Sequence, residues 1–224
     1  MGTVTSGLFR WLRGGASPAA PVVSDNSSSN STQLVRHSTG LGEIMKVISA
    51  KEGLSILDLG ATSPQNIMKL TEMGHRVASE DLLLASIDPT VVGKDEKGKP
   101  VCDVERFLAQ NLKYDDAQFD AVLCWDVPDY LPEPLVKPAI ERLGMALKPG
   151  GSLLAFFHTE GSGMETAYYR FHIAGADQLD MKRGPHYPLQ RIFHNRHIEK
   201  LFKDYHGLRF FLARDQVREV MVKR

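Results

Sequence analysis

The sequence predicts an α/β fold: a doubly wound, mostly parallel seven-stranded sheet that ends in a C-terminal antiparallel hairpin strand. Three observations lead there. Short apolar runs alternate with segments of helical spacing from Leu34 onward. The joins between the apolar runs are long enough for helices, as parallel strands require. The last two runs, LRFFLAR and VREVMVKR, are separated by only a few residues around Asp215, which permits only an antiparallel pair.

LVRHSTGLGEIMKVISAKEG has helical spacing at Leu41, Ile44, Met45 and Ile48 and stops at Gly53. LSILDLG is a first apolar strand. PQNIMKLTEMG is a helix, with Pro64 suited to its first turn and Gly74 to its C-terminal cap. HRVASED is a second strand ending in acids. VVGKDEKGKPVCD is a polar loop leading into a brief third strand near Val101. VERFLAQNL is a short helix, and FDAVLCWDV a strongly apolar fourth strand. EPLVKPAIERLGMALKPGG is a helix closed by its Lys-Pro-Gly-Gly stop, and SLLAFFHT is the fifth strand. Residues 159–191 then form an irregular insertion, expected to lie over the carboxyl ends of the strands as a lid. Its Tyr168, Tyr169, Phe171 and Tyr187 either line that lid or pack it onto the sheet. NRHIEKLFKDYHG is a helix leading into the final hairpin.

Composition narrows the function classes. Lys+Arg and Asp+Glu are both 27, so no net charge drives the chain toward nucleic acid or an anionic membrane. No run of about 18 apolar residues is present, so no transmembrane helix is expected, and the expected location is cytoplasmic. The length suits one domain, residues 34–224. Residues 1–33 are rich in Ser, Asn, Gly, Ala and Pro and read as a disordered tail. Within it, GLFRWLR runs from Gly7 to Arg13. It is a floppy terminus or, as the sharper alternative, a peripheral membrane or partner contact through Phe9, Trp11 and Leu12. MGTVTS also fits the loose myristoylation pattern. Cys102 and Cys124 do not make a disulfide framework, and Cys124 reads as a buried thiol. His172, His186, His194 and His197 lack the companions that a zinc site needs, so no metal is expected. The Lys- and Arg-rich stretch 182–224 reads as a solvated face or, as the sharper alternative, a binding patch for an anionic substrate or nucleic acid, with no recognisable nucleic-acid module in it.

In open parallel sheets, ligands bind beyond the carboxyl ends of the strands. Three such ends are polar here: Asp58-Leu59-Gly60, Glu80-Asp81 and Trp125-Asp126. An acid roughly twenty residues after the glycine is placed to accept both hydroxyls of a ribose. The helix at Pro64 turns unpaired amides toward whatever sits above the first strand.

This order of signals resembles the class I S-adenosylmethionine-dependent methyltransferases, a Rossmann-like family. The resemblance runs from about Leu34 to Arg224. It rests on ILDLG, Asp81, CDVERF followed by YDDAQFDAVLCWDV, LKPGGSLLAFFH and the closing hairpin. It implies S-adenosylmethionine as cofactor and methyl transfer to an acceptor, with a small molecule expected. It also implies roles. Asp58 and Gly60 line the methionine end, and Asp81, or Glu80 if the strand ends one residue earlier, holds the ribose. Asp103 stands near the adenine amino group with Val104 beside the ring. Trp125 and Asp126 face the transferring methyl and the substrate. Asp126, Tyr130 or His158 would take a proton from the acceptor.

Plainer roles stay open beside these. Asp58 caps the next turn, Asp81 is a solvated loop acid, Asp103 is the N-cap of VERFLAQNL, Trp125 is a core aromatic, and His158 is an ordinary hydrogen-bonded histidine. WDVPDY carries no Pro-Pro pair, which points away from methylation of a base amino group. The first loop departs from the family's alternating glycines, with Thr62 and Pro64 in their place. That loop is stiffer and bulkier, although the hydroxyls of Thr62 and Ser63 suit a cofactor carboxylate. The lost glycines support a competing reading, a catalytically inactive methyltransferase-like binding or scaffolding domain. A dinucleotide oxidoreductase is disfavoured, since the pyrophosphate glycine pattern is absent.

Overall fold

Two apolar faces on one set of strands decide the architecture. Along β-strands successive side chains point to opposite faces, and here both faces are apolar, so both must be covered. The computed structural model describes residues 34–94, 96–98, 100–161, 163–212 and 215–224. The expectations for residues 1–33 lie outside the described residues.

In chain order the elements are β1 (Leu34–His37), α1 (Thr39–Ser49), β2 (Ser55–Leu59), α2 (Pro64–Glu72), β3 (Arg76–Glu80) and α3 (Leu82–Ser86). A 3-10 turn at Pro89–Val91 leads to β4 (Val92–Lys94), β5 (Pro100–Cys102) and α4 (Val104–Gln110). Then come β6 (Phe119–Trp125), α5 (Val127–Tyr130), α6 (Glu133–Ala146) and β7 (Leu147–His158). The insertion carries β8 (Glu165–Ala167), β9 (Arg170–Ile173), β10 (Gln178–Lys182) and β11 (His186–Pro188). The chain ends with α7 (Asn195–Leu201), β12 (His206–Leu212) and β13 (Val217–Lys223).

The main sheet has six strands in the order β12-β13-β7-β6-β2-β3, not the seven expected. β3, β2, β6 and β7 are mutually parallel. β13 runs against both of its neighbours, β7 and β12. The missing strand is the one expected near Val101. That segment folds back on itself instead, and β5 pairs antiparallel with β4 in a separate two-stranded sheet. Its local sequence explains this. Three lysines and a turn at Gly98 favour a solvated hairpin, and Pro100 has no amide to give to a ladder.

One face of the sheet packs Leu57, Leu59, Val122, Leu153 and Phe157 against α4, α6 and α7. The other packs Ile56, Leu123, Leu154 and Phe156 against α1, and against Phe171, Ile173 and Leu179 of the insertion. The stripe Leu41, Ile44, Met45 and Ile48 faces the sheet from α1, as its spacing predicts. Pro64 opens α2 and Asp103 caps α4, its carboxylate accepting the Arg106 amide at 2.9 Å.

The N-terminal stretch and the insertion depart from expectation in the same way. Leu34–His37 is a strand, and it pairs antiparallel with β10, which pairs with β9. β8 and β11 form a further small pair. The insertion is therefore not irregular. Its strands are short and weakly alternating, and a single sequence does not reveal partners 140 or so residues apart. Cys102 and Cys124 are both free thiols. Among the described residues no helix is long and apolar enough to cross a membrane, and no group of His, Cys, Asp and Glu could hold a metal.

Candidate active site

β2 runs into Gly60, whose φ of +95° suits a residue without a side chain. The ground above it is occupied by the chain itself. A Cβ on Gly60 would meet the Tyr168 hydroxyl at 3.1 Å and Val127 Cγ2 at 3.3 Å. Tyr168 comes from the insertion and is buried. Its ring stands edge-on to Tyr130 at 5.1 Å and to Tyr187 at 5.9 Å. Its hydroxyl approaches Asp81 Oδ1 at 3.5 Å.

The acids of this wall are all engaged inside the protein. Asp58 is buried and accepts from Trp125 Nε1 at 2.6 Å and from Asn66 Nδ2 at 3.0 Å. Burial pushes its carboxyl up to about 6, although both hydrogen bonds pull the other way. Asn66 also donates to Phe171 O at 2.9 Å and accepts from Ile173 N at 2.8 Å. It thereby rivets β9 of the insertion to the first strand and its following helix. Trp125 stacks on Phe171 with ring centroids 5.2 Å apart. Glu80 turns away to accept from Leu112 N at 3.0 Å and from the Tyr114 hydroxyl at 2.9 Å. Asp81 caps α3 through Leu84 N at 3.2 Å, and burial raises its carboxyl above the ordinary range. Asp103 caps α4, and Val104 is the first residue of that helix.

The first loop resolves differently from its sequence reading. Thr62 is exposed, and its hydroxyl accepts from Ser79 Oγ at 3.4 Å. Ser63 is extended, as the following proline requires. Its hydroxyl caps α2 at Asn66 N (3.1 Å) and meets His172 Nδ1 at 2.7 Å. The obstacle over Gly60 is Tyr168, not Thr62.

The other side of the strand ends is open. A cavity of about 1010 Å³ lies between β1, the insertion, and the facing ends of β7 and β13. Asp126 and His158, two of the three expected catalytic residues, both line it. Asp126 is only 3% exposed, and its Oδ1 has no hydrogen-bond partner among the described residues. Burial pushes its carboxyl up to about 7, offset in part by the charge of His158.

His158 is held by Asp129, a residue the sequence reading passed over. Asp129 Oδ2 lies 2.8 Å from His158 Nδ1 and accepts the His158 backbone amide at 2.6 Å. Burial lowers the affinity of the imidazole for a proton. The Asp129 hydrogen bond and the charges of Asp126, Asp129 and Asp215 outweigh it, so the net shift is upward. Asp129 itself is raised to about 6 by burial, against the pull of His158. Its spacing from Asp126 on α5 is the one signal that could have found it. Tyr130, the third expected residue, is fully buried. Its hydroxyl contacts Thr166 Oγ1 at 2.8 Å and donates to Ala167 O at 3.2 Å. Burial raises the ionisation of its hydroxyl further from neutrality.

The far wall of the cavity is built on Arg36. Its Nε lies 2.5 Å from Asp215 Oδ2, and its Nη1 is 2.8 Å from Glu219 Oε1 in an ion pair bent too far to be a hydrogen bond. Its guanidinium sits 4.6 Å above the Phe156 ring. Glu219 Oε2 also accepts the Gly40 amide at 2.6 Å.

Residues 57–155 match a family model described as a methyltransferase domain. Comparison with curated proteins returns no match. Among solved structures, the chain is similar to a Burkholderia thailandensis 1,6-didemethyltoxoflavin-N1-methyltransferase with bound 1,6-didemethyltoxoflavin and S-adenosylhomocysteine. Identity is 16%, 83% of this chain and 78% of that one are covered, and the TM-score is 0.44. A SAM-dependent methyltransferase from Aquifex aeolicus shows 16% identity over 81% and 88% of the two chains, at a TM-score of 0.45. One from Mesorhizobium loti shows 14% identity over 83% and 98%, also at 0.45. The family match begins inside β2 and ends inside β7, so it spans Gly60, Asp81, Asp103, Trp125 and Asp126. Over residues 57–155 the chain carries a methyltransferase domain, in line with its resemblance to the class I S-adenosylmethionine-dependent methyltransferases.

Proposed function

We propose that this chain is an S-adenosylmethionine-dependent methyltransferase acting on a small molecule held in the cavity beside Asp126 and His158. The observation that carries the reading is this placement: the cavity reaches the ends of β6 and β7 at Asp126 and His158, and Asp126 belongs to the matched domain. The residue types around Gly60 fit the cofactor. The glycine keeps the backbone approachable, Asp81 suits the ribose hydroxyls and Asp103 the adenine amino group. The space fits only once Tyr168 has left its position over Gly60. When bound, the cofactor supplies an activated methyl group. The protein's own task is then to orient the acceptor, exclude water and take its proton. With Nδ1 of His158 facing the Asp129 carboxylate, the ring carries a proton there and has Nε2 left to accept one. Asp126 stands by as the second acceptor.

A competing reading is a methyltransferase-like domain that has lost cofactor binding. Tyr168 over Gly60, and the internal partners of Asp58, Glu80 and Asp81, favour it. Calorimetric titration with S-adenosylmethionine and S-adenosylhomocysteine separates the two. The enzyme reading expects binding that Asp81→Ala abolishes. No binding at millimolar ligand, by either the unchanged protein or Tyr168→Ala, establishes the inactive reading.

A further inference from the structure

We propose that the cavity selects a protonated amine attached to an apolar or aromatic body. This names the acceptor class of the site proposed above and relies on that reading for turnover, though not for binding. The charge around the cavity is lopsided. Asp126, Glu160, Asp215 and Glu219 line it, whereas its basic groups are Arg36, His37 and His158. Arg36 is already shared between Asp215 and Glu219, and His158 is engaged by Asp129, which stands behind the wall. A negative field remains, and a low-dielectric pocket strengthens it.

Asp126 turns that field into a specific site. Asp126 lines the cavity, and its Oδ1 is buried and lacks a hydrogen-bond partner among the described residues, although a buried carboxylate oxygen without a donor is costly. Among simple ligand groups, an ammonium satisfies both needs at once, giving N–H donors and an opposite charge. A carboxylate ligand would add a like charge beside four acids. A neutral hydroxyl would supply the donor without the charge.

The rest of the lining suits the body of such a ligand. Tyr169 and Phe171 face the cavity from the insertion, and Met164, Met181 and Leu189 complete an apolar wall. Aromatic faces attract cations as well as apolar groups, and Phe156 already does so for Arg36. A protonated amine must lose a proton before its nitrogen can accept a methyl group. His158 is then placed to receive it, the N–H bond breaking as the Nε2–H bond forms.

The test uses the full chain and three matched probes without cofactor: 2-phenylethylamine, 2-phenylethanol and phenylacetate, titrated by calorimetry. The proposal expects the amine to bind roughly tenfold or more tightly than the alcohol, and phenylacetate not to bind. Asp126→Asn, nearly isosteric, should erase the preference for the amine while leaving the alcohol unchanged. The ranking of the three probes on the unchanged protein needs no variant. A preference for phenylacetate, equal affinity for all three, no binding of any at millimolar concentration, or an amine preference that survives Asp126→Asn in a folded variant would overturn it. Asp81→Ala separates this from the cofactor reading: it should abolish S-adenosylhomocysteine binding and leave amine binding intact.

Discussion

The two sides of the strand ends treat their carboxylates in opposite ways. On the side of β2 and β3, Asp58, Glu80, Asp81 and Asp103 each accept from a donor of the protein. On the side of β6 and β7, Asp126 Oδ1 has none among the described residues, and Asp129 uses only Oδ2, on His158, leaving its Oδ1 without one. The first wall is stitched to the insertion through Asn66, Trp125 and Tyr168, so its acids work structurally in this state. The second borders a cavity and still holds unspent hydrogen-bonding capacity. Identity of residue type therefore does not locate the open site. What each acid already bonds to does.

That contrast can be broken from either side. The largest effect is expected at the cavity's rear wall. Glu219→Ala leaves Arg36 buried without its inner partner and should cost about 4 kcal/mol, read from urea unfolding. Next comes Tyr168→Ala. It should cost about 3 kcal/mol of stability by emptying a buried aromatic site, while tightening S-adenosylhomocysteine binding several-fold as the ground over Gly60 opens. If stability fell with no gain in affinity, Tyr168 would be a core residue and nothing more. Asp58→Ala strands Trp125 Nε1, removes one of the two acceptors of Asn66 Nδ2, and should cost about 2 kcal/mol. It should also loosen the insertion, seen as faster amide exchange in β9.

Two smaller effects concern protons. Asp126 must be ionised to hold an ammonium, and its carboxyl is pushed up to about 7. The groups acting on it are His158 from β7, Asp129 from α5 and Arg36 from β1. Amine affinity should therefore weaken as pH falls below about 7, by up to roughly tenfold per unit. Protonation of His158 adds a repelling charge and acts in the same direction. Affinity that is flat across this range would remove Asp126 from the site. The smallest effect is at Asp129→Asn. His158 is raised in the folded state, so its pairing stabilises the fold fully below about 6.5 and is lost as pH rises through the raised value. Removing the Asp129 charge should move the His158 titration downward, followed by its ring proton shifts in NMR, with amine binding at high pH unchanged.

Much of this was legible in the residues themselves. Continuous apolar runs and helix-length joins marked β2, β6 and β7, because burial on both faces leaves a strong local signal, while the polar edge strand β3 was marked by the acids at its end. Asp126 and His158 were singled out for the same reason, each being the first polar residue, or nearly so, after an apolar strand, and both line the cavity. Pro64 and Asp103 announced their helix starts through backbone chemistry alone. The rest depended on contacts between distant parts of the chain. Val101 sits in a run that reads as a strand but pairs locally with β4. The pairing of β1 with β10 joins residues far apart, and nothing local encodes it. Thr62 and Pro64 stand in sequence where glycines were expected, which reads as a bulkier first loop. The side chain that fills the space over Gly60 is Tyr168, more than a hundred positions later. Asp129 was hidden because its partner, the end of β7, is supplied by another strand.

One measurement tests the central claim most directly: titration of S-adenosylhomocysteine into the unchanged protein, Tyr168→Ala, and the double variant Tyr168→Ala/Asp81→Ala. The account predicts binding to the unchanged protein, tighter binding to Tyr168→Ala, and none to the double variant. Absence of binding in all three would contradict it and leave a methyltransferase-like domain whose cofactor ground is permanently built over.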